Sequence, residues 1–216
     1  CKEPIERIAS HTPDTQKNVR KVNEISQFFS DEGLGDYAMK LKLLYASKVD
    51  PDSAKMIAND IKTSADKYFD TGHAKEALAT YDTYLQLAEN YYDKDAYGPK
   101  IMDVAERYFN KGHYKEAVKY YSMYLFKYSD SQVADYCSYK LGMSLYYNKE
   151  YQTAIEKLEE FLNTYQNSVW FEKAFESLCR LYYENLSIER AIEALQKMTD
   201  KYPRRDSRDC AYLLMG

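Results

Sequence analysis

The stretch Ala65–Leu85, ADKYFDTGHAKEALATYDTYL, returns 40 residues later as Ala105–Leu125, AERYFNKGHYKEAVKYYSMYL. Laying one on the other aligns Ala65 with Ala105, Tyr68 with Tyr108, Gly72 with Gly112, Ala77 with Ala117 and Tyr81 with Tyr121. A unit repeated at this period cannot bury its apolar face alone and must stack on its neighbours, so the pattern marks a repeat array. In each copy an apolar helical period runs up to a short polar break, TGH or KGH, and resumes beyond it. The spacing predicts helix, tight turn, helix, with the glycine in the left-handed conformation that closes the first helix.

The register extends to both sides of the twin copies. A recurring alanine falls at Ala38, Ala77, Ala117, Ala154 and Ala191, at intervals of 39, 40, 37 and 37 residues. A second small-residue register, Ala65, Ala105, Gly142 and Cys179, marks where the two helices of a unit must cross closely. The expected fold is all-α, an α-solenoid of helix-turn-helix repeats over 20–216. Its five complete units fall near 19–57, 58–97, 98–134, 135–171 and 172–208, and a sixth begins over 209–216. The first unit, around VNEISQFFSDEGLGDYAMKLKLLYASKVDP, is the most divergent, as a terminal repeat should be. With only 5 prolines and 7 glycines and 45% hydrophobic residues, the composition suits long helices around a sizeable core. The anomaly is tyrosine, at 24 residues.

A net charge of −4 gives no general attraction to nucleic acid, and no stretch approaches the ~20 apolar residues of a membrane helix. Residues 1–19 read as a polar tether headed by Cys1. The expectation for Cys1 is the lipidated cysteine of a bacterial lipoprotein; the alternative is a boundary that happens to fall at a cysteine. Cys137, Cys179 and Cys210 sit in helical patterns and are expected to be buried free thiols. The chain has no GxxxxGK, HExxH or CxxC pattern. His73 and His113 recur because the repeat recurs, and His11 stands in the tether. The expectation is a protein that is not an enzyme, with no cofactor and no metal.

These residues resemble the tetratricopeptide repeat family from about Arg20 onward. That family's pattern is met by Ala105 and Tyr108 in a first helix, the turn glycine, Ala117, Tyr121 and the terminal Pro203. The departures are the missing tryptophan of the family pattern, units longer than usual, and Ser129 and Gln166 where two units would end in proline. The longer units, with endings such as FLNTYQNS and TDKYPRRDS, are similar to periplasmic scaffold lipoproteins, a group that includes the lipoprotein subunit of the outer-membrane β-barrel assembly machinery. The resemblance implies a scaffold for other proteins or extended peptide segments. Its place would be the periplasmic face of a bacterial envelope membrane, the outer membrane first, joined through lipid on Cys1. A cytosolic adaptor or co-chaperone, or a repeat domain of a larger protein, is the alternative.

In this family the stacked first helices line a concave surface, which gives a set of partner-binding residues. In the fourth unit Tyr136, Tyr139, Met143 and Tyr146 form one helical stripe. The same offsets give Met102, Glu106 and Phe109 in the third unit, Phe69 in the second, and Arg180 and Tyr183 in the fifth. Aromatic anchors with a polar rim suit a binding groove. The other reading, that these tyrosines pack on neighbouring helices, stays open at this point.

Overall fold

The structure is a computed structural model describing residues 15–33, 35–186 and 188–202. The tether, Cys1, Pro203, Cys210 and the expected start of a sixth repeat lie outside the described residues. Those described form an all-α repeat fold of consecutive helix pairs. The helices are α1 (Thr15–Asp31) with α2 (Gly35–Ala46), α3 (Pro51–Asp70) with α4 (Ala74–Tyr91), α5 (Lys94–Asn110) with α6 (Tyr114–Tyr128), α7 (Ala134–Tyr147) with α8 (Tyr151–Thr164), and α9 (Phe171–Asn185) with α10 (Ile188–Lys201). The chain divides into two compact bodies, Cys1–Lys100 and Ile101–Gly216, with the junction inside α5 just after Pro99.

The helices begin and end where local chemistry dictates. Pro51 opens α3 with its fixed φ, and Asp50 caps it by accepting from the Ser53 amide at 3.0 Å. Those hydrogen bonds hold the Asp50 carboxyl below its ordinary range. Along α3, Ala54, Ile57, Ala58, Ile61 and Ala65 are fully buried, the single apolar stripe of a helix packed on one side. At the other end the amide of Gly72 donates to Phe69 O and that of His73 to Tyr68 O, while Gly72 takes φ 81°. This is a Schellman closure. Gly112 (φ 81°) and His113 repeat it on Phe109 and Tyr108. A third copy closes α7, where Lys149 donates to Tyr146 O and Glu150 to Leu145 O. There the left-handed residue, at φ 66°, is Lys149.

The small-residue register lies buried: Ala65, Ala105 and Cys179 are at most 1% exposed. Gly142 shows how close the crossing is. A Cβ built there would lie 2.7 Å from Leu158 Cδ2 and 2.9 Å from Cγ. Only glycine lets α7 meet α8 at this distance.

Tyrosine fills the core of both bodies. Tyr45, Tyr81, Tyr84, Tyr108, Tyr120 and Tyr121 are all fully buried. Several of the chain's tyrosines, Tyr81 and Tyr121 of this set among them, keep a polar contact at the tip of the ring. Tyr81 donates to Asp66, and its repeat-equivalent Tyr121 donates to Glu106. Tyr91 reaches Ala46 O at 2.9 Å, Tyr124 reaches Ser131 Oγ at 3.1 Å, and Tyr182 donates to Glu159. Cys137 and Cys179 are buried free thiols, and burial pushes Cys137 up to about 12, helped by the charges of Glu106 and Asp135.

Candidate partner-binding site

The stripe Tyr136, Tyr139, Met143, Tyr146 lies along α7 but does not present four equivalent side chains. Met143 is buried. Tyr139 stacks on Trp170 with centroids 5.4 Å apart and planes 12° apart, and its ring stands 6.2 Å from Phe161. Tyr136 lies 5.0 Å from the same indole and donates to Glu106 Oε1 at 2.7 Å. Tyr146 donates to Glu184 Oε2 at 3.2 Å. Burial raises the Tyr146 phenol above its ordinary value, and the Glu184 charge adds to this.

Glu106 is a hub. Its carboxylate accepts from Tyr121 and Tyr136, and the Lys140 ammonium stands 3.6 Å away. That ammonium also sits 3.5 Å from the centroid of Phe109, a close cation–π contact. Burial raises the phenols of Tyr121 and Tyr136, with the hydrogen bond to Glu106 as second cause. Burial lowers Lys140, and Glu106 opposes it. The structure thus brings Glu106, Phe109 and Tyr136 together as an internally satisfied network. Of the remaining sequence-derived residues, Met102 is half-buried, Arg180 is exposed and Tyr183 is 59% exposed. Phe69, in the other body, is buried edge-on to Tyr81 with centroids 6.3 Å apart.

Three aromatic residues outside that set complete a surface cluster. Tyr147 stacks on Tyr114 with centroids 4.8 Å apart, and Phe109 lies 5.5 Å from Tyr114 and 6.0 Å from Tyr147. Tyr146 joins at 5.2 Å from Tyr147 and 6.2 Å from Tyr151. The five rings run along the edge formed by the α5–α6 and α7–α8 turns, and Tyr147 is 45% exposed. The sequence held a signal for them: the first position of the second helix is Ala74 in the second repeat but Tyr114 and Tyr151 in the third and fourth.

Other features bring no chemistry together. A cleft of about 410 Å³ in the first body, lined by residues such as Ala38, Leu43, Lys67, Tyr68 and Thr80, contains none of the sequence-derived residues. Among the described residues there is no group of three or more His, Cys, Asp or Glu placed to hold a metal ion, and no helix is long and apolar enough to cross a membrane.

Residues 139–216 match a family described as outer membrane lipoprotein. No curated protein matches the sequence. Among solved structures, the chain is similar to a putative kinesin light chain of Podosopora anserina with nearly identical TPR-like repeats, at 13% identity and a TM-score of 0.48, covering 94% of this chain and 97% of that one. It is similar to a signal transduction ATPase with a tetratricopeptide repeat sensor from Pyrococcus horikoshii, at 17% identity and a TM-score of 0.47, over 93% of this chain and 38% of that one. It is also similar to BtubC from P. vanneervenii, at 16% identity and a TM-score of 0.46, over 98% and 81%. In fold the chain is an all-α protein of repeated helix pairs, similar over 139–216 to the family described as outer membrane lipoprotein.

Proposed function

We propose that this chain is a non-enzymatic scaffold that holds a partner protein on the aromatic edge of α5 to α8, and that it does so at the periplasmic face of the outer membrane, anchored by lipid on Cys1. The observation that carries the binding role is the five-ring cluster Phe109, Tyr114, Tyr146, Tyr147 and Tyr151, which leaves Tyr147 45% exposed although the core has tyrosine to spare. Contiguous aromatic surface of this kind marks an interaction site. The match of 139–216 to an outer membrane lipoprotein family supports the location and the anchor.

Phe109 and Tyr146 make direct contacts with the partner, and Met102, Arg180 and Tyr183 form the rim. Glu106, Tyr136 and Tyr139 position the face through their internal contacts. Fractionation of the native host tests the anchor. Wild type should sediment with membranes and carry acyl mass on Cys1, while Cys1→Ser should be released. An unmodified Cys1 in protein from its native host would instead support the cytosolic adaptor.

A further inference from the structure

Tyr68 and Tyr108 hold the same place in the twin repeats, and each keeps an edge-on histidine, His73 with ring centroids 6.3 Å apart and His113 at 5.9 Å. Beyond that contact the two rings differ. Tyr120 stacks on Tyr108, with centroids 5.6 Å apart and planes 26° apart, and both are fully buried. The residue 40 positions before Tyr120 is Thr80. Among the described residues no ring stacks on Tyr68, which is only half-buried. The place that Tyr120 fills in one copy is open in the other: Tyr68 and Thr80 line the cleft of about 410 Å³ in the first body, together with Ala38, Met39, Leu43 and Ala79.

What the cleft offers is a shape and a ring face rather than reactive groups. The hydroxyls of Ser64, Thr80 and Thr83 in its lining each donate to the carbonyl four residues back in their own helix, at 3.0, 2.6 and 2.9 Å. Charge does not select an occupant either. Lys42 is paired with Asp60, Lys40 lies 5.7 Å from the Tyr37 ring, and Lys67 shares the lining with Glu76.

We propose that this cleft is a binding site for a small aromatic molecule, whose ring lies on Tyr68 as the ring of Tyr120 lies on Tyr108. The twin repeat supplies the occupant's chemistry within its own chain. The volume and the largely aliphatic lining are those of a small-molecule pocket, roomier than one side-chain ring needs. Stacking on a ring adds to the gain from burial and separates an aromatic ligand from an aliphatic one of equal size. The cleft shares no residue with the aromatic edge, so the two proposals stand or fall separately.

The test titrates the full chain with p-cresol, indole and the non-aromatic cyclohexanol, followed by saturation-transfer NMR and calorimetry. The two aromatic probes should bind with Kd on the order of 1 mM, and cyclohexanol about 5-fold more weakly. Thr80→Tyr, which puts the twin repeat's ring into the cleft, should abolish binding and raise Tm. Tyr68→Leu should weaken the aromatic probes about 3-fold or more, while Tyr147→Ala should leave them unchanged. Cyclohexanol bound as well as p-cresol, or binding that survives Thr80→Tyr or Tyr68→Leu, overturns the proposal. A Thr80→Tyr melt several degrees below wild type overturns it too, by showing that the cleft does not accept a ring. Binding of a phenylalanine-bearing hexapeptide but of neither free aromatic probe would replace the small molecule by a partner's side chain, and so also removes it.

Discussion

The third and fourth repeats solve the same crossing with opposite chemistry. In the third, Ala105 sits at the closest approach, and the next residue, Glu106, takes a hydrogen bond from Tyr121. In the fourth, Gly142 sits at the closest approach, and the equivalents of Glu106 and Tyr121 are Met143 and Leu158, both buried. The second repeat follows the third, with Asp66 and Tyr81. A polar contact between phenol and carboxylate needs the ring's length across the crossing. In the fourth repeat Met143 and Leu158 are both buried, and the helices close until Leu158 would meet a Cβ on Gly142. Much of the tyrosine in this chain therefore belongs to packing. The tyrosines to associate with function are those left outside that scheme, at the turns.

Moving the polar solution into the apolar repeat should have the largest effect. Met143→Glu buries a carboxylate in a repeat whose equivalent of Tyr121, Leu158, has no donor, and should cost ~3–5 kcal/mol of unfolding free energy, read by urea denaturation. Adding Leu158→Tyr should return part of that loss, with the double-mutant coupling at ~1 kcal/mol or more. A freely tolerated Met143→Glu would mean that the two crossings do not differ as described.

Enlarging the small residue should come next. Ala105→Leu should cost ~1–3 kcal/mol through overpacking. Gly142→Ala should also lower Tm, because the contact with Leu158 outweighs the ~1 kcal/mol that alanine gains in a helix. A higher Tm for Gly142→Ala would show that α8 can move away at little cost. At exposed Lys119, alanine should change stability by no more than ~0.5 kcal/mol.

Loss of the phenol alone should be milder. Tyr121→Phe removes one donor from Glu106 and leaves Tyr136 and Lys140, so ~1–2 kcal/mol is expected. The pH dependence has a definite sign. The folded-state phenols of Tyr121 and Tyr136 are raised above their ordinary value of 10.0, so their contribution is fully present below pH 10 and is lost as pH rises beyond it. Absorbance titration should show Tyr121 and Tyr136 ionising above the ordinary value and only as the fold opens. Their ionisation at pH 10 in the folded protein would contradict the buried network.

The helix pairs were readable because the repeat supplies its own alignment, and the turn glycines and the small-residue register follow from backbone and Cβ geometry alone. The pairing of Tyr136 with Glu106, 30 residues apart, was not readable, since it depends on how two consecutive repeats meet. Helical periodicity placed Phe109 and Tyr146 in the candidate site, but it also placed Met143 and Phe69 there, which are buried. Offsets carried from one repeat to the next assume that equivalent positions face equivalent surroundings, and the Glu106 and Met143 positions do not. Tyr114, Tyr147 and Tyr151 were missed because they sit at helix ends, where the 3.6-residue period says nothing of the face exposed.

The most direct test of the partner site is photo-crosslinking in the native host from a photoreactive residue at position 147, compared with one at position 126. Phe126 is 89% exposed and makes no ring contact among the described residues, so it controls for exposure alone. The account predicts a discrete protein adduct from position 147 and none from 126. Equal labelling from both positions, or an adduct from 126 alone, would contradict it.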